Sequence, residues 1–244
     1  MLSFNNDPAL KALHVAQAEH HFAADMLLAG TYGENNDGAF KGCSVGCFAH
    51  DIDPKAKNRH ATVANARFLP EWLIQLQDSI FEGLSAPDRK LFHVEIAKRI
   101  PRGVDLEKVQ HVIAVSRFDR LIKLQNAALE ANHGSGVHDA IEQAVAALVI
   151  ERRRNEAMAA GNTCDVSAAE SAESAESAES AESAESAESA ESAESAESAE
   201  SAESAESAAR SGWPAESAWS ARTAAWSAWG QERDALFLAL SNAA

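Results

Sequence analysis

From Ser167 to Glu206 the chain is an almost unbroken Ser-Ala-Glu triplet, and a period of three suits neither a helix face nor a strand face. On an α-helix each triplet falls about 60° short of a full circle, so the Ala stripe winds around the axis once in roughly 18 residues. No straight apolar face results. A 3₁₀-helix would align Ala, Ser and Glu into three straight faces, but long 3₁₀ runs are rare and their hydrogen bonds are poorer. Glu at i and i+3 repels along either form. The tract is expected to be either a thin helical arm or a solvated, fluctuating segment, the latter favoured by high charge and the lack of large apolar side chains. The near-identity of the copies points to expansion of a short DNA repeat, which predicts a variable copy number.

The tract distorts every average taken over the 244 residues, including the formal net charge of −16. Residues 1–164 hold 18 Lys and Arg against 20 Asp and Glu, so they are close to neutral and the tail carries most of the charge. About 160 residues suffice for one domain with its own core. We therefore divide the chain into an all-α globular domain at 1–160, a repeat arm at 161–209 and a Trp-rich helical segment at 210–244. No run of about 18 apolar residues reads as a membrane span, no basic and apolar leader opens the sequence, and no basic excess suits nucleic acid. A soluble cytoplasmic protein is expected, with its three cysteines as thiols or metal ligands rather than a disulfide framework.

Within the domain, Asp7-Pro8 starts a helix expected to run to Ala29 and stop at Gly30. Residues 30–42, with four glycines and two asparagines, read as a loop rather than a strand. Cys43 to His50 offers two turns of helix, broken by Asp51 to Pro54. Pro70 opens a segment with Leu73, Leu76, Ile80 and Phe81 at helical spacing up to Gly83, and Ser85 with Asp88 resembles a capping box for a helix through Arg99. Asp105 caps a long segment in which Val109, Val112, Ile113, Leu121, Ile122 and Leu124 form a stripe. A last helix covers about 137–160, with Ile141, Val145, Leu148 and Val149 inward. No stretch alternates apolar and polar residues for long, so the reading is five or six helices joined by short loops.

Beyond the tract, Glu gives way to Trp213, Trp219, Trp226 and Trp229, and two inserted residues pull the period back toward 3.6. Trp219, Trp226, Trp229, Leu236, Phe237 and Leu240 can then share one helix face. Such a face is expected to pack on the N-terminal domain, on the arm, on another copy of itself, or on a protein partner.

The strongest chemical constellation is Gly42-Cys43-Ser44-Val45-Gly46-Cys47-Phe48-Ala49-His50. If helical, it puts Cys43, Cys47 and His50 within about 60° of one another. Two thiols and an imidazole suit zinc, with a fourth ligand such as His21 from helix one, where His14, His21 and Asp25 form a second polar row. In a competing reading Cys43 and Cys47 are small buried residues beside Gly42 and Gly46, which let two helices approach closely. In a third, Cys43 or Cys47 is a nucleophile with His21 or His50 as base and Asp25 as orienter. The glycines at 30, 33, 38 and 42 with Lys41 could face an anion, but without a preceding strand they read as a plain loop. Asp78 and Glu82, four residues apart, are either an ordinary helix-surface pair or an acid/base pair. Arg152-Arg153-Arg154 suits the C-terminal end of a helix dipole.

Gly30-Thr31-Tyr32-Gly33, Lys41-Gly42-Cys43-Ser44-Val45-Gly46-Cys47 with His50, Ile80-Phe81-Glu82-Gly83-Leu84 and Ile100-Pro101-Arg102-Gly103-Val104-Asp105-Leu106 occur in that order. Over roughly residues 14–115 this order resembles a family of bacterial and phage proteins with Ala-rich C-terminal tails. The resemblance implies an α-helical protein of bacterial or mobile-element origin and no particular reaction. It points to His21, Asp25, Tyr32, Cys43, Cys47, His50 and Glu82 as site residues. The unbroken Ser-Ala-Glu run departs from the more mixed tails of that family.

Three functional expectations follow. The first is a non-enzymatic binding protein with a zinc or thiol site in its head, the tail serving as spacer or self-association element. The second is a small hydrolase or transferase with a Cys/His site between helix one and residues 43–50. In the third, the acidic arm occupies a basic partner surface, as a phage-borne antagonist would.

Overall fold

A computed structural model describes residues 1–36, 39–130, 135–162 and 215–243, and the fold is all-α. In chain order the elements are α1 (Pro8–Ala23), β1 (Glu34–Asn36), β2 (Ala39–Lys41), α2 (Ser44–Ile52), α3 (Arg59–Arg67), α4 (Glu71–Gly83), α5 (Ala86–Arg99), α6 (Glu107–Leu129), α7 (Ser135–Ala159) and α8 (Ala215–Ala243). Met1–Asn162 and Gln231–Ala244 form one compact unit, and Thr163–Gly230 forms a second. The Ser-Ala-Glu tract and Trp213 lie outside the described residues, and the second unit is described only from residue 215, where α8 begins. None of the described helices is long and apolar enough to cross a membrane.

Local chemistry starts the helices. The Asp7 carboxylate accepts from Ala9 N at 2.8 Å with Pro8 in the first turn of α1, and Asn58 Oδ1 accepts from Ala61 N at 3.1 Å to start α3. Ser85 Oγ meets Asp88 at 2.5 Å at the start of α5, side chain to side chain, without the bond to a backbone amide that a capping box would make. Asp105 accepts from Glu107 N at 3.2 Å, in the role expected of it at α6.

Three expectations are corrected. Helix one stops at Ala23, six residues early, because the chain turns at Asp25 (φ 52°) and runs extended beside Gly42. Leu28 N donates to Gly42 O at 2.8 Å and Gly42 N to Met26 O at 2.9 Å. Burying Leu27 in this extended stretch overrides the helix propensity of the Ala- and Leu-rich segment. The loop at 30–42 contains a small antiparallel hairpin, with Glu34 opposite Lys41 and Asn36 opposite Ala39. Its Asp37-Gly38 dipeptide, a hairpin-turn signal, lies outside the described residues. Finally, α3 was not anticipated: it leaves Arg59, His60 and Thr62 half-buried and buries only Val63, Ala64 and Arg67, too narrow an apolar stripe for periodicity to show.

The first residues clamp the end of α5. Phe4, Asn5 and Asn6 all have left-handed φ, at 55°, 50° and 55°, which costs a non-glycine residue about 1–2 kcal/mol. Offsetting this, Phe4 is fully buried, Ser3 N donates to Val104 O at 2.9 Å and Gly103 N to Ser3 O at 3.0 Å. Lys11 Nζ caps the α5 carbonyls of Ala97, Lys98 and Ile100. Burial pushes its ammonium down to about 8, against the pull of those carbonyls.

At the other end α6 and α7 pair along their lengths, joined by His111 Nδ1 and Asn155 Oδ1 at 2.9 Å. The α6 stripe is narrower than expected: Val109, Ile113 and Phe118 are buried while Val112 and Leu124 are exposed. On α7, Ile141, Val145, Leu148 and Val149 are half-buried, as befits a helix packed against one neighbour. The last turns of α8 return to this unit. Glu232, Leu236, Ala239 and Leu240 form one buried face, Phe237 stacks on Phe92 at 5.8 Å, and Glu232 is gripped by Arg117 at 2.6 Å and by Arg120.

Candidate functional site

The Gly30–Gly33 loop lies across the start of α2, and the glycines of the Gly-Cys-Ser-Val-Gly sequence make room for it. A Cβ on Gly46 would sit 2.0 Å from Tyr32 O, and one on Gly42 2.9 Å from the same oxygen. Cys43 N donates to Thr31 O at 2.8 Å. These glycines thus admit a loop backbone, rather than the second helix expected to pack there. Cys43 is the N-cap of α2, with extended backbone (φ −65°, ψ 174°) and its sulfur accepting from Gly46 N at 3.3 Å.

This off-helix position turns Cys43 away from the residues with which helical spacing grouped it. Cys47 is buried, and its thiol donates weakly to Gly42 O at 3.4 Å and Met26 O at 3.6 Å. His50 stacks on Phe40 at 3.8 Å. Asp25, beyond the end of α1, is exposed and pairs with Lys41 at 3.1 Å and Lys90 at 2.5 Å. His14 is fully buried and stacks on Phe48 at 4.2 Å, with neither ring nitrogen hydrogen-bonded. Trp226 and Trp229 are half-buried in α8, and the side chain of Trp219 falls outside the described residues.

Cys43 instead joins Asp78 and Glu82 of α4, one ligand-type atom from each lying within 4.8 Å of the others. His60, in the first turn of α3, holds Asp78 Oδ2 at 3.0 Å. Gly30 N donates to Glu82 Oε2 at 2.7 Å. Asp78 is only 7% exposed and its Oδ1 makes no hydrogen bond of ordinary length, while the Cys43 thiol and the Tyr32 hydroxyl both lean on its carboxylate. Tyr32 closes the outer side, edge-on to His60 at 5.7 Å and under the Arg59 guanidinium at 5.3 Å. Burial, then the Asp78 charge, raises both the Cys43 thiol and the Tyr32 hydroxyl above their usual ranges. Burial also raises Glu82, against the Gly30 amide that stabilises its anion. The result is two adjacent carboxylates with one oxygen each held by a donor, facing a protonated thiol.

Beside it, through Ser44 just after Cys43 and Gln77 just before Asp78, runs a hydrogen-bonded chain that ends at Asp51 near the surface. Gln77 Nε2 donates to Ser44 Oγ at 2.7 Å, so the Ser44 hydroxyl has its own proton free for His93 Nδ1 at 2.8 Å. His93 then carries its proton on Nε2 and gives it to His21 Nδ1 at 3.1 Å. His21 in turn donates from Nε2 to Asp51 Oδ2 at 3.0 Å. Every donor points the same way, and both rings are neutral in one tautomer each. Burial lowers the pKa of each ring, for His93 far below the usual value. Both of His21's ring nitrogens are therefore engaged here, neither facing Cys43 or Cys47.

Of the residues singled out from sequence, the fold brings together Tyr32, Cys43, Asp78 and Glu82, while His21, Asp25, Cys47 and His50 go to separate places. Sequence reasoning missed His60, Ser44, Gln77, Asp51 and His93. His93 carried a readable signal: it sits on the α5 face with Phe92 and Ile96, where a polar residue must have a buried partner. The chain matches no protein-family model, no curated protein and no solved structure.

Proposed function

We propose that the protein acts by binding. Its head carries a small polar site made by Cys43, Asp78 and Glu82 with Tyr32 and His60 at its edge. The observation that carries this reading is the spare acceptor capacity of a buried carboxylate, Asp78 Oδ1, beside a thiol held protonated. A nucleophilic cysteine needs the reverse, a lowered pKa and a base within reach. Cys47 is also pushed up, to about 12, chiefly by burial. The hydrolase or transferase alternative, a Cys/His site between helix one and residues 43–50, has less to draw on, since His21 gives both ring nitrogens to His93 and Asp51. The tail reading is that α8 fastens the far end of the acidic insert to the head through Glu232, Leu236 and Leu240. A partner or second copy would then meet the opposite face of α8, where Leu238 is exposed. A bacterial or phage origin and a cytoplasmic location belong to the same proposal, and the acidic-antagonist reading rests on the tract alone.

Thiol alkylation tests the reading. With Cys164→Ser removing the third cysteine, native Cys43 and Cys47 are expected to react with iodoacetamide far more slowly than free cysteine at pH 7. Faster reaction than free cysteine at either position would replace the binding reading with the nucleophile reading.

A further inference from the structure

We infer that Cys43, Asp78 and Glu82 form a site for one divalent cation of the zinc class, with His60 and the Gly30 amide orienting the carboxylates. This rests on the reading of the cluster as a binding site and names its ligand. Three independent features converge. First, the ligand-type atoms lie within 4.8 Å of one another, whereas the ligands of a tetrahedral zinc ion with bonds of about 2.0–2.3 Å lie roughly 3.3–3.8 Å apart. Side-chain adjustment of about 1 Å closes that gap. Second, each carboxylate is held through one oxygen, Asp78 by His60 and Glu82 by Gly30 N. That is how outer hydrogen bonds fix metal-ligating groups. Third, Asp78 Oδ1 is buried without a hydrogen bond of ordinary length, the Cys43 thiol and the Tyr32 hydroxyl leaning on the Asp78 carboxylate instead, and a cation that displaces the thiol proton would occupy that acceptor.

The donor set selects the ion. A thiolate disfavours magnesium and calcium, which take oxygen ligands, and suits zinc and its softer neighbours. Binding is a ligand exchange in which the Cys43 S–H bond breaks, sulfur keeps the electron pair and bonds the cation, and the proton leaves to solvent. Three protein ligands leave a tetrahedral ion one further position for water or an external ligand. The other ligand-type grouping found among the described residues, His138, Asp139 and Glu142, is mostly exposed and already contains a His138–Glu142 ion pair at 3.7 Å. It has no buried orphan atom to argue for an ion.

The test is titration of chelator-treated full chain, in the Cys164→Ser background, with Zn²⁺ and with Co²⁺. Cobalt reports a thiolate ligand through an intense near-ultraviolet charge-transfer band. One ion per chain and a thiolate band are expected, with the band lost and affinity reduced at least tenfold in Cys43→Ser. Glu82→Gln, at a half-buried position where misfolding is a smaller risk, should keep the band and weaken binding about tenfold or more. Cys47→Ser and His138→Ala should match the parent. Absence of bound ion, a band that persists in Cys43→Ser, or undiminished affinity in a folded Glu82→Gln would each overturn the site. If no ion binds while both thiols stay slow to alkylate, the binding reading survives for another ligand. A fast-alkylating Cys43 removes that reading as well.

Discussion

Two polar groups lie one peptide bond apart and differ in how their members are linked. The chain through Gln77, Ser44, His93, His21 and Asp51 links its members in one directed series, with Gln77 Oε1 left as a buried acceptor at its start. The neighbouring Cys43, Asp78 and Glu82 cluster leaves a buried carboxylate oxygen without a hydrogen bond of ordinary length. The first set is closed between its members and rigidifies the core; the second is open between its members and has capacity for something else. Cys43 and Ser44, like Gln77 and Asp78, are consecutive, so the closed set holds the open one in place.

The largest effect should come from breaking the closed set. His93→Ala leaves a cavity and strips partners from Ser44 and His21, and should lower stability by roughly 3 kcal/mol in urea unfolding. A loss below about 1 kcal/mol would mean the chain is not the rigid partner in the comparison.

Acid offers a second route. His14, His21 and His93 have folded-state pKa values lowered from 6.5, first of all by burial. The unfolded chain therefore takes up protons first. Stability is complete above about pH 6.5 and falls as pH drops below it, by about 1.4 kcal/mol per pH unit for each ring still neutral in the fold. Urea midpoints measured from pH 7.5 to 5 should show this slope, and His93→Gln should flatten it. A midpoint that stays level across that range would contradict neutral buried rings.

Gly46→Ala attacks the seam between loop and helix. Its new Cβ would meet Tyr32 O at 2.0 Å, and overpacking of this kind costs about 1–3 kcal/mol. Hydrogen exchange should rise in residues 30–33 before it rises in α5. The smallest effect is expected in the open set: Glu82→Gln should change stability by no more than about 0.5 kcal/mol, because losing a charge beside Asp78 offsets the weaker bond to Gly30. A loss as large as that from His93→Ala would erase the distinction between the two groups.

Much of this was legible in the sequence. The caps at Asp7 and Asp105, the helix start at Ser85 and the stripes of α4 and α6 are local facts, and they give the helical class directly. Motif order pointed to Tyr32, Cys43 and Glu82 together with His21, Asp25, Cys47 and His50, and of these only the first three meet in the fold. Helical arithmetic misled where the backbone leaves the helix: Asp25 lies past the end of α1 and Cys43 sits before the start of α2. His60 and Ser44 could not be found this way, because their partners are 18 and 49 residues distant and only tertiary packing joins them.

The return of α8 to the head has a consequence for inheritance. The segment from Thr163 to Gly230 is tied to the same compact unit at both ends, so a change in triplet number alters the length of a closed loop rather than of a free end. Even for a fully flexible connector, doubling the loop adds only about 0.6 kcal/mol of closure entropy. Replication slippage in the repeat therefore leaves the folding of the head nearly untouched. The gene can drift in length without a stability penalty large enough for selection on the fold to correct it.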